Sequence, residues 1–367
     1  MKLLRARDVA ALDAAAEAVG LPPDTLMDRA GRAVAATALR LQPQARRIVI
    51  LTGPGNNGGD GYVCAAELVR RGLAVSLLEM TDAPKTEPAA RARTALLAMA
   101  PDLPRAAALE ASDAAADLLD DADLVVDALL GAGLARPVGP ELAALFDRVR
   151  GAGVPVLAVD VPSGLDADRA AVEGDVLTAT WTLQLSAAKP ASLLAPARDR
   201  YGAWWVDDLG LDPALVARHA VADAIGRTSA GRVLPRRRGD AHKYRAGAVL
   251  VVGGSPRYAG AAELAARAAL RAGAGYVLLA AAERHPATWP ELVHLPWPVA
   301  GPGAAADAAL GAARADVAVV GPGLEADERL LAELLADWGP RPLLLDGGAL
   351  RPALVRVAAG DGPRVLT

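Results

Sequence analysis

An α/β fold, with parallel sheet and helices on both faces, is predicted by three features of the sequence. Short β-branched runs such as RIVIL (47–51) alternate with segments of helical spacing. Several of these runs end in glycine-rich or polar turns: TGPGNNGGD, DALLGAGL and DVPSGLD. With 53% hydrophobic but only 3% aromatic residues, the core must be built mainly from Ala, Val and Leu, which suits helices packed on a buried sheet. At 367 residues the chain exceeds what one hydrophobic core usually organises, so two domains are expected.

Taken in order, Val9, Leu12, Ala16 and Val19 recur at helical spacing, and a second helix over about 26–39 follows the turn Gly20 to Asp24. The strand 47–51 then leads through glycines into a helix over 62–71. Alternation continues with strand 74–78, a helix near 89–100, strand 122–127, a helix near 142–149 and strand 154–160. Residues 177–185 and 203–206 read as further strands of the same sheet. The stretch 209–240, rich in Arg, Gly and Pro near its end, contains the candidate linker, set at 216–240 between domains 1–215 and 241–367. A fresh strand, 248–252, meets another glycine turn, GGSPRYAG, and opens the second domain. In open α/β sheets ligands gather at the carboxyl ends of strands, which makes the three polar loops of the first domain neighbours in space.

A net charge of −4 gives no electrostatic footprint for nucleic acid, and Arg236 to Arg238 reads as a solvated run. The amino terminus carries Arg and Asp where a signal peptide needs an apolar core, and the Ala-rich segment 259–282 is interrupted by Glu263, Arg267 and Arg271, so no membrane role is expected. One cysteine, Cys64, cannot form an internal disulfide, and a reducing cytoplasm is the simplest setting; the residue reads as a small core side chain. His219, His242, His285 and His294 have no metal-ligand spacing.

GPGNNGGDG (53–61) is neither a Walker loop nor the GxGxxG fingerprint. Its glycines would let backbone N–H groups approach a pyrophosphate, and the helix starting near Asp60 would point its positive end at that ligand. An isolated Gly/Asn cluster is more often a tight surface turn, a reading made weaker here by two adjacent Asn and a central Asp.

The ordered set LMDRAG (26–31), GPGNNGGDGYVCA (53–65), VDALLGAGL (126–134) and VDVPSGLD (159–166) closely resembles the NAD(P)H-hydrate epimerase family over roughly residues 1–215. That resemblance implies a Rossmann-like first domain. It also implies that Asn56, Asn57, Gly58, Gly59 and Asp60 line the site for a hydrated NADH or NADPH, with Gly131, Ala132, Gly133, Leu134, Ala135, Arg136 and Pro137 from the second loop and Asp160 from the third. Asn57, Asp127 and Ser163 would hold a potassium ion, whose hard character suits oxygen ligands. Epimerisation inverts C6 of the hydrated nicotinamide ring, and Asp160 is the candidate acid/base, a helix cap or second metal ligand being its plainer readings. Asp127 has its own plainer role as a turn cap. Lys189 would face phosphate or lie solvated on the surface. A homodimer is plausible by the same resemblance.

Residues 242–277, with VAVVGPGL (317–324) and PLLLDGGAL (342–350), resemble the start of the ADP-dependent NAD(P)H-hydrate dehydratase domain, a partial ribokinase-like α/β fold in which Ala261 and Gly323 would contact hydrated cofactor. Tyr244 stands where that family tends to have Gly after Lys243. The later elements that would bind ADP or ATP are not found before Thr367, so a truncated chain without ADP-driven dehydration is expected. Two functions from different classes compete for the first domain: an isomerase of hydrated NADH and NADPH, or a non-catalytic nucleotide-binding or interaction module. Retention of Asn57, Asp60, Asp127 and Asp160 favours the enzyme. A small-molecule kinase ranks last.

Overall fold

A computed structural model describes residues 1–110, 113–134, 136–234, 239–282, 285–297, 314–325, 328–360 and 362–367. The chain divides into two compact units, Met1–Val233 and Leu234–Thr367.

The first unit runs β1 (Lys2–Leu3), α1 (Ala6–Ala18), α2 (Pro23–Leu41), β2 (Arg47–Thr52), α3 (Asn56–Arg70), β3 (Ala74–Glu79), α4 (Glu87–Met99), β4 (Arg105–Ala107) and α5 (Asp113–Asp120). It continues with β5 (Leu124–Ala128), α6 (Pro140–Ala152), β6 (Val156–Val159), β7 (Trp181–Leu185), β8 (Ala203–Asp207), α7 (Pro213–His219), β9 (Ala222–Asp223) and α8 (Arg227–Val233). Seven strands form one sheet in the order β4-β3-β2-β5-β6-β7-β8, and each adjacent pair is parallel. Period-2 alternation sorts the core onto two faces. Ile48 and Ile50 of β2 pack with Leu12, Val34 and Leu68, while Val49 and Leu51 pack on the other side with Leu119, Leu145 and Phe146. Strand order reverses between β2 and β5, so the loops that follow these two strands flank the crevice.

Glycine spacing decides how closely those loops meet. A Cβ on Gly53 would lie 1.7 Å from the Leu129 carbonyl oxygen, so only glycine lets the two loops touch. The helix after β2 begins at Asn56, several residues before the start expected from sequence. Gly58, Gly59 and Gly61 therefore occupy its first turns, against the Gly53 carbonyl, Met27 and Ala128 respectively. Glycine weakens an isolated helix, and here close packing overrides that propensity.

Other departures have local causes. Strand β7 begins at Trp181; Leu177 is buried but lies in the preceding loop, its N–H bonded to Ser163 O. Strand β4 and helix α5 were not read from their Ala-rich sequence. The first part of the expected linker belongs to the first unit. Leu215 and Val216 of α7 are buried in its core, and β9 pairs antiparallel with β1 through Lys2↔Asp223 and Leu3↔Ala222.

The second unit contains β10 (Ala248–Val252), α9 (Ala259–Ala272), β11 (Tyr276–Ala281), β12 (Leu292–Pro296), β13 (Val317–Val320), α10 (Glu328–Asp337), β14 (Leu343–Leu345), α11 (Pro352–Ala358) and β15 (Arg364–Leu366). Its strands form a parallel sheet in the order β12-β11-β10-β13-β14-β15. Leu250 and Val252 face one core with Leu331 and Trp338, and Val251 faces another with Ala262 and Ala266. Order reverses between β10 and β13, where the Gly254 N–H donates to Pro322 O at 2.8 Å. Both units are thus α/β layers with a switch point between two glycine-bearing loops.

Candidate active site

A cavity of about 590 Å³ opens at the switch point of the first sheet. Its walls come from α1 and α2 on one side and from the loops after β2, β5, β6 and β7 on the other. Among the sequence-derived candidates it gathers Asn56, Asn57, Asp60, Gly131, Ala132, Gly133, Leu134 and Asp160. Gly58 and Gly59 do not line it; both are buried, and their lack of a side chain serves helix packing instead. Arg136 and Pro137 line a separate small pocket with Leu134, Gly164 and Arg169. Ala135 lies outside the described residues. In the second unit, Ala261 and Gly323 meet: a Cβ on Gly323 would lie 2.8 Å from the Ala261 Cβ and 2.7 Å from Tyr258 O.

Asp160 ends β6 with a left-handed backbone, φ 66°, and Ser186 (φ 64°) and Leu209 (φ 54°) share that conformation. These are the three non-glycine residues with positive φ among the described residues, and all three line the cavity. Such conformations persist only where surrounding structure enforces them, and they cluster at functional sites. For Asp160 the enforcement is visible. Its N–H donates to Leu183 O at 2.8 Å, and its Oδ1 accepts from the Leu185 N–H at 3.0 Å and from Lys189 Nζ.

Lys189 is neither solvated nor free to meet a phosphate. It is 1% exposed, and its ammonium also donates to Leu185 O at 2.7 Å and Ala187 O at 3.1 Å. An ammonium has three protons, and these three acceptors take them all. Asp160 is therefore anchored by one oxygen, and no hydrogen bond reaches its Oδ2 among the described residues.

Asp60, on α3, is a buried carboxyl on the cavity wall. Burial and the charges of Asp160 and Asp13 push it well above the usual carboxylate range, against a smaller opposing pull from Lys189. Asp13, on α1, also lines the cavity and is raised by burial, again against Lys189. Sequence reasoning did not find Asp13; its only signal was an acidic residue beside Leu12 on an otherwise apolar helix face.

Asp127 and Ser163 knit the second and third loops together. The Ser163 hydroxyl donates to Asp127 Oδ1 at 2.6 Å, the Ser163 N–H to Oδ2 at 2.8 Å, and the Leu130 N–H to Ser163 Oγ at 2.9 Å. The Leu129 N–H reaches Asp127 Oδ1 at 3.2 Å, so the plainer cap reading and the loop latch coexist. Asp127 is fully buried, with no ion pair among the described residues, and burial raises it to about 6 despite these donors. Asn57 contributes a buried Nδ2 without a hydrogen-bond partner among the described residues, and its Oδ1 lies 3.3 Å from where a Gly131 Cβ would stand. Asp127 and Ser163 do not line the cavity themselves, but their oxygens are of the hard kind a monovalent cation takes, and no cationic side chain pairs with Asp127 among the described residues.

The family profile described as "YjeF-related protein N-terminus" matches residues 23–191, and that described as "NAD(P)H-hydrate dehydratase" matches residues 249–367. The chain is 34% identical over 388 aligned positions to the bifunctional NAD(P)H-hydrate repair enzyme of Moorella thermoacetica, covering 100% of this chain and 73% of that enzyme. The chain belongs to the bifunctional NAD(P)H-hydrate repair enzyme family. Family members in Escherichia coli (38% identical, 72% of this chain, 50% of that enzyme) and Salinibacter ruber (36%, 84% and 61%) are matched over a smaller share of their own length. The chain thus spans about half to three-fifths of these two relatives. The match of residues 249–367 to the dehydratase profile leaves the expected loss of dehydration without support. The crystal structure of yeast ynu0 shares a fold with this chain, with a TM-score of 0.53 at 21% identity over 62% of this chain and 96% of that one.

Proposed function

We propose that the first unit interconverts the R and S epimers of hydrated NADH and NADPH. The observation that carries this reading is Asp160, a carboxylate held at the crevice of the sheet by Lys189 and the Leu185 N–H, with its second oxygen left for a ligand. Epimerisation at C6 needs a group that holds or takes a proton at the C6 oxygen while the ring nitrogen lone pair assists carbon–oxygen cleavage. Asp160 is suited to that role, and Lys189 orients it. The Asn57 Nδ2 offers a donor to a phosphate or amide oxygen, and Asn56 and Asn57 set the start of α3 at the cavity wall, where a helix N-terminus favours an anion. Apolar walls from Leu26, Met27, Ala30 and Leu209 exclude water from the reacting ring.

Asn57, Asp127 and Ser163 would hold potassium, which when bound supplies a fixed positive charge close to the dinucleotide. The two loops latched by Asp127 and Ser163 keep Gly131 to Leu134 on the cavity wall. The test is the rate at which purified full-length chain interconverts separated R and S hydrated NADH with potassium present. Interconversion at the spontaneous rate, in folded protein, would overturn the reading in favour of a binding module.

For the second unit, dehydration of hydrated NADH coupled to ADP or ATP is the reading supported by the dehydratase profile. Recovery of NADH absorbance on adding either nucleotide tests it. Hydrated nicotinamide dinucleotide is the substrate in both reactions, the cytoplasm is the expected setting, and a homodimer is open to direct measurement of mass in solution.

A further inference from the structure

Four ionisable groups line the cavity close enough to act on one another's charge: Asp13 from α1, Asp60 from α3, Asp160 after β6 and Lys189 after β7. Three carboxyls face one ammonium, and that ammonium is spent on Asp160 and two carbonyl oxygens. The Asp60 carboxyl has no hydrogen bond among the described residues and is 8% exposed. A buried carboxylate without a hydrogen bond, beside two like charges, is disfavoured, so this cluster favours Asp60 in its protonated form. Like carboxyls in unlike surroundings take opposite roles in acid–base chemistry.

We infer that Asp60 is the general acid for one direction of the epimerisation, protonating the departing C6 hydroxyl, while Asp160, ion-paired to Lys189, is the base, and that the two exchange roles in the reverse direction. The inference rests on the epimerase reading given above. As the C6–O bond breaks, the N1 lone pair forms the C6=N1 double bond. The hydroxyl takes the Asp60 proton and leaves as water, and Asp60 becomes a carboxylate. Water then adds to the other face of C6, giving one proton to Asp160 as the C=N pair returns to N1. The proton on Asp160 passes back to Asp60 through Asp13 or solvent, and nothing is consumed. Direction agrees with the electrostatics: burial, Asp160 and Asp13 all raise Asp60, with only Lys189 opposing. Cys64, on the same helix and fully buried, is itself driven up, above all by burial, so it stays a neutral thiol and offers no competing proton chemistry.

The experiment combines kinetics with carboxyl ¹³C NMR on the full chain. Asp60→Asn, nearly isosteric, is expected to lower kcat by about 100-fold or more with KM little changed, and to abolish the alkaline fall in rate that wild type shows as Asp60 ionises. Asp60→Glu is expected to restore part of the rate. In wild type the Asp60 carboxyl carbon should report the protonated form at neutral pH. A purely binding role would raise KM and leave the pH profile in place. A kcat within about threefold of wild type in Asp60→Asn, or an Asp60 carboxyl already ionised at neutral pH, overturns the assignment. Wild-type protein that does not interconvert the epimers although Asp60 is protonated overturns the epimerase reading instead, so the two failures are distinct.

Discussion

Lys189 holds Asp160 by one carboxylate oxygen and satisfies its remaining protons on the Leu185 and Ala187 carbonyls. Both side chains are buried, at 2% and 12% exposure. Removing either leaves an uncompensated charge, which destabilises by about 3–5 kcal/mol for a buried pair. Lys189→Met is therefore expected to lower the urea midpoint of the first unit markedly, and Asp160→Ala to do the same rather than leave the fold untouched. Asp160→Asn also leaves the Lys189 charge without its partner but keeps the shape and an acceptor oxygen, so it is the milder probe of catalysis, read in protein shown to be folded. A Lys189→Met midpoint equal to wild type would show that the pair does not hold this corner of the site.

Asp127 gives a pH and cation prediction. Its folded-state value of about 6 lies above the 3.8 of a free carboxyl, so folding favours the protonated form. Its contribution is fully present below the unfolded value and is lost as pH rises through 6. The shift corresponds to a loss on the order of 3 kcal/mol between acid and neutral pH. Potassium, binding the ionised form, should restore part of that stability at neutral pH and do little below pH about 4. Urea titrations of wild type and Asp127→Asn, each with and without potassium, check this. Equal potassium effects in both proteins would remove Asp127 from the cation site.

The crevice was legible because its determinants are local. TGPGNNGGD, DALLGAGL and DVPSGLD each follow a β-branched run directly, and the sheet rule then brings their loops together. Lys189 was not legible as Asp160's partner, since the two meet only after strand β7 carries the chain back to the crevice, 29 residues on. Asp13 comes from a helix that precedes the whole sheet, and nothing in helical periodicity says which polar residue faces a cavity. Positive φ at Ser186 and Leu209 leaves no composition signal, since neither is glycine. The linker was misplaced for a related reason. Leu215 and Val216 are too short an apolar group to announce a helix, and it is tertiary packing on α1 and the core that makes one.

Glycines of the loops after β2 and β5 divide into two classes. A Cβ on Gly58 would stand 2.0 Å from Gly53 O, a backbone atom that cannot yield cheaply, whereas Gly133 has nothing within 4 Å of the same position. Gly58→Ala is expected to destabilise by about 1–3 kcal/mol or more and to disorganise the cavity wall. Gly133→Ala should leave the melting temperature nearly unchanged and alter only ligand affinity, because its added methyl enters open space at the cavity. Comparable thermal shifts in the two variants would contradict this division.

In the second unit, buried Glu263 ties α9 to the segment before β12. Its Oε1 accepts from Arg267 Nε and the Trp289 N–H, both at 3.1 Å, and its Oε2 from Thr288 Oγ1 at 2.9 Å. Arg267 and Arg271 lie over the Trp289 ring, 4.9 and 5.4 Å from its centroid, so removing the carboxylate would leave two guanidinium groups beside an indole with no counter-charge on Glu263. Glu263→Ala strips three donors of their acceptor at once, while Glu263→Gln keeps the shape and an acceptor oxygen but loses the charge. Because the chain has two units, a single unfolding midpoint would blur the effect, and amide exchange at Trp289 reads it locally. Glu263→Ala should speed that exchange by about tenfold or more, corresponding to at least 1.4 kcal/mol of lost local stability, with Glu263→Gln in between. Unaltered Trp289 protection in Glu263→Ala would mean that the indole stacking of the two arginines, rather than the carboxylate, fixes this segment against α9.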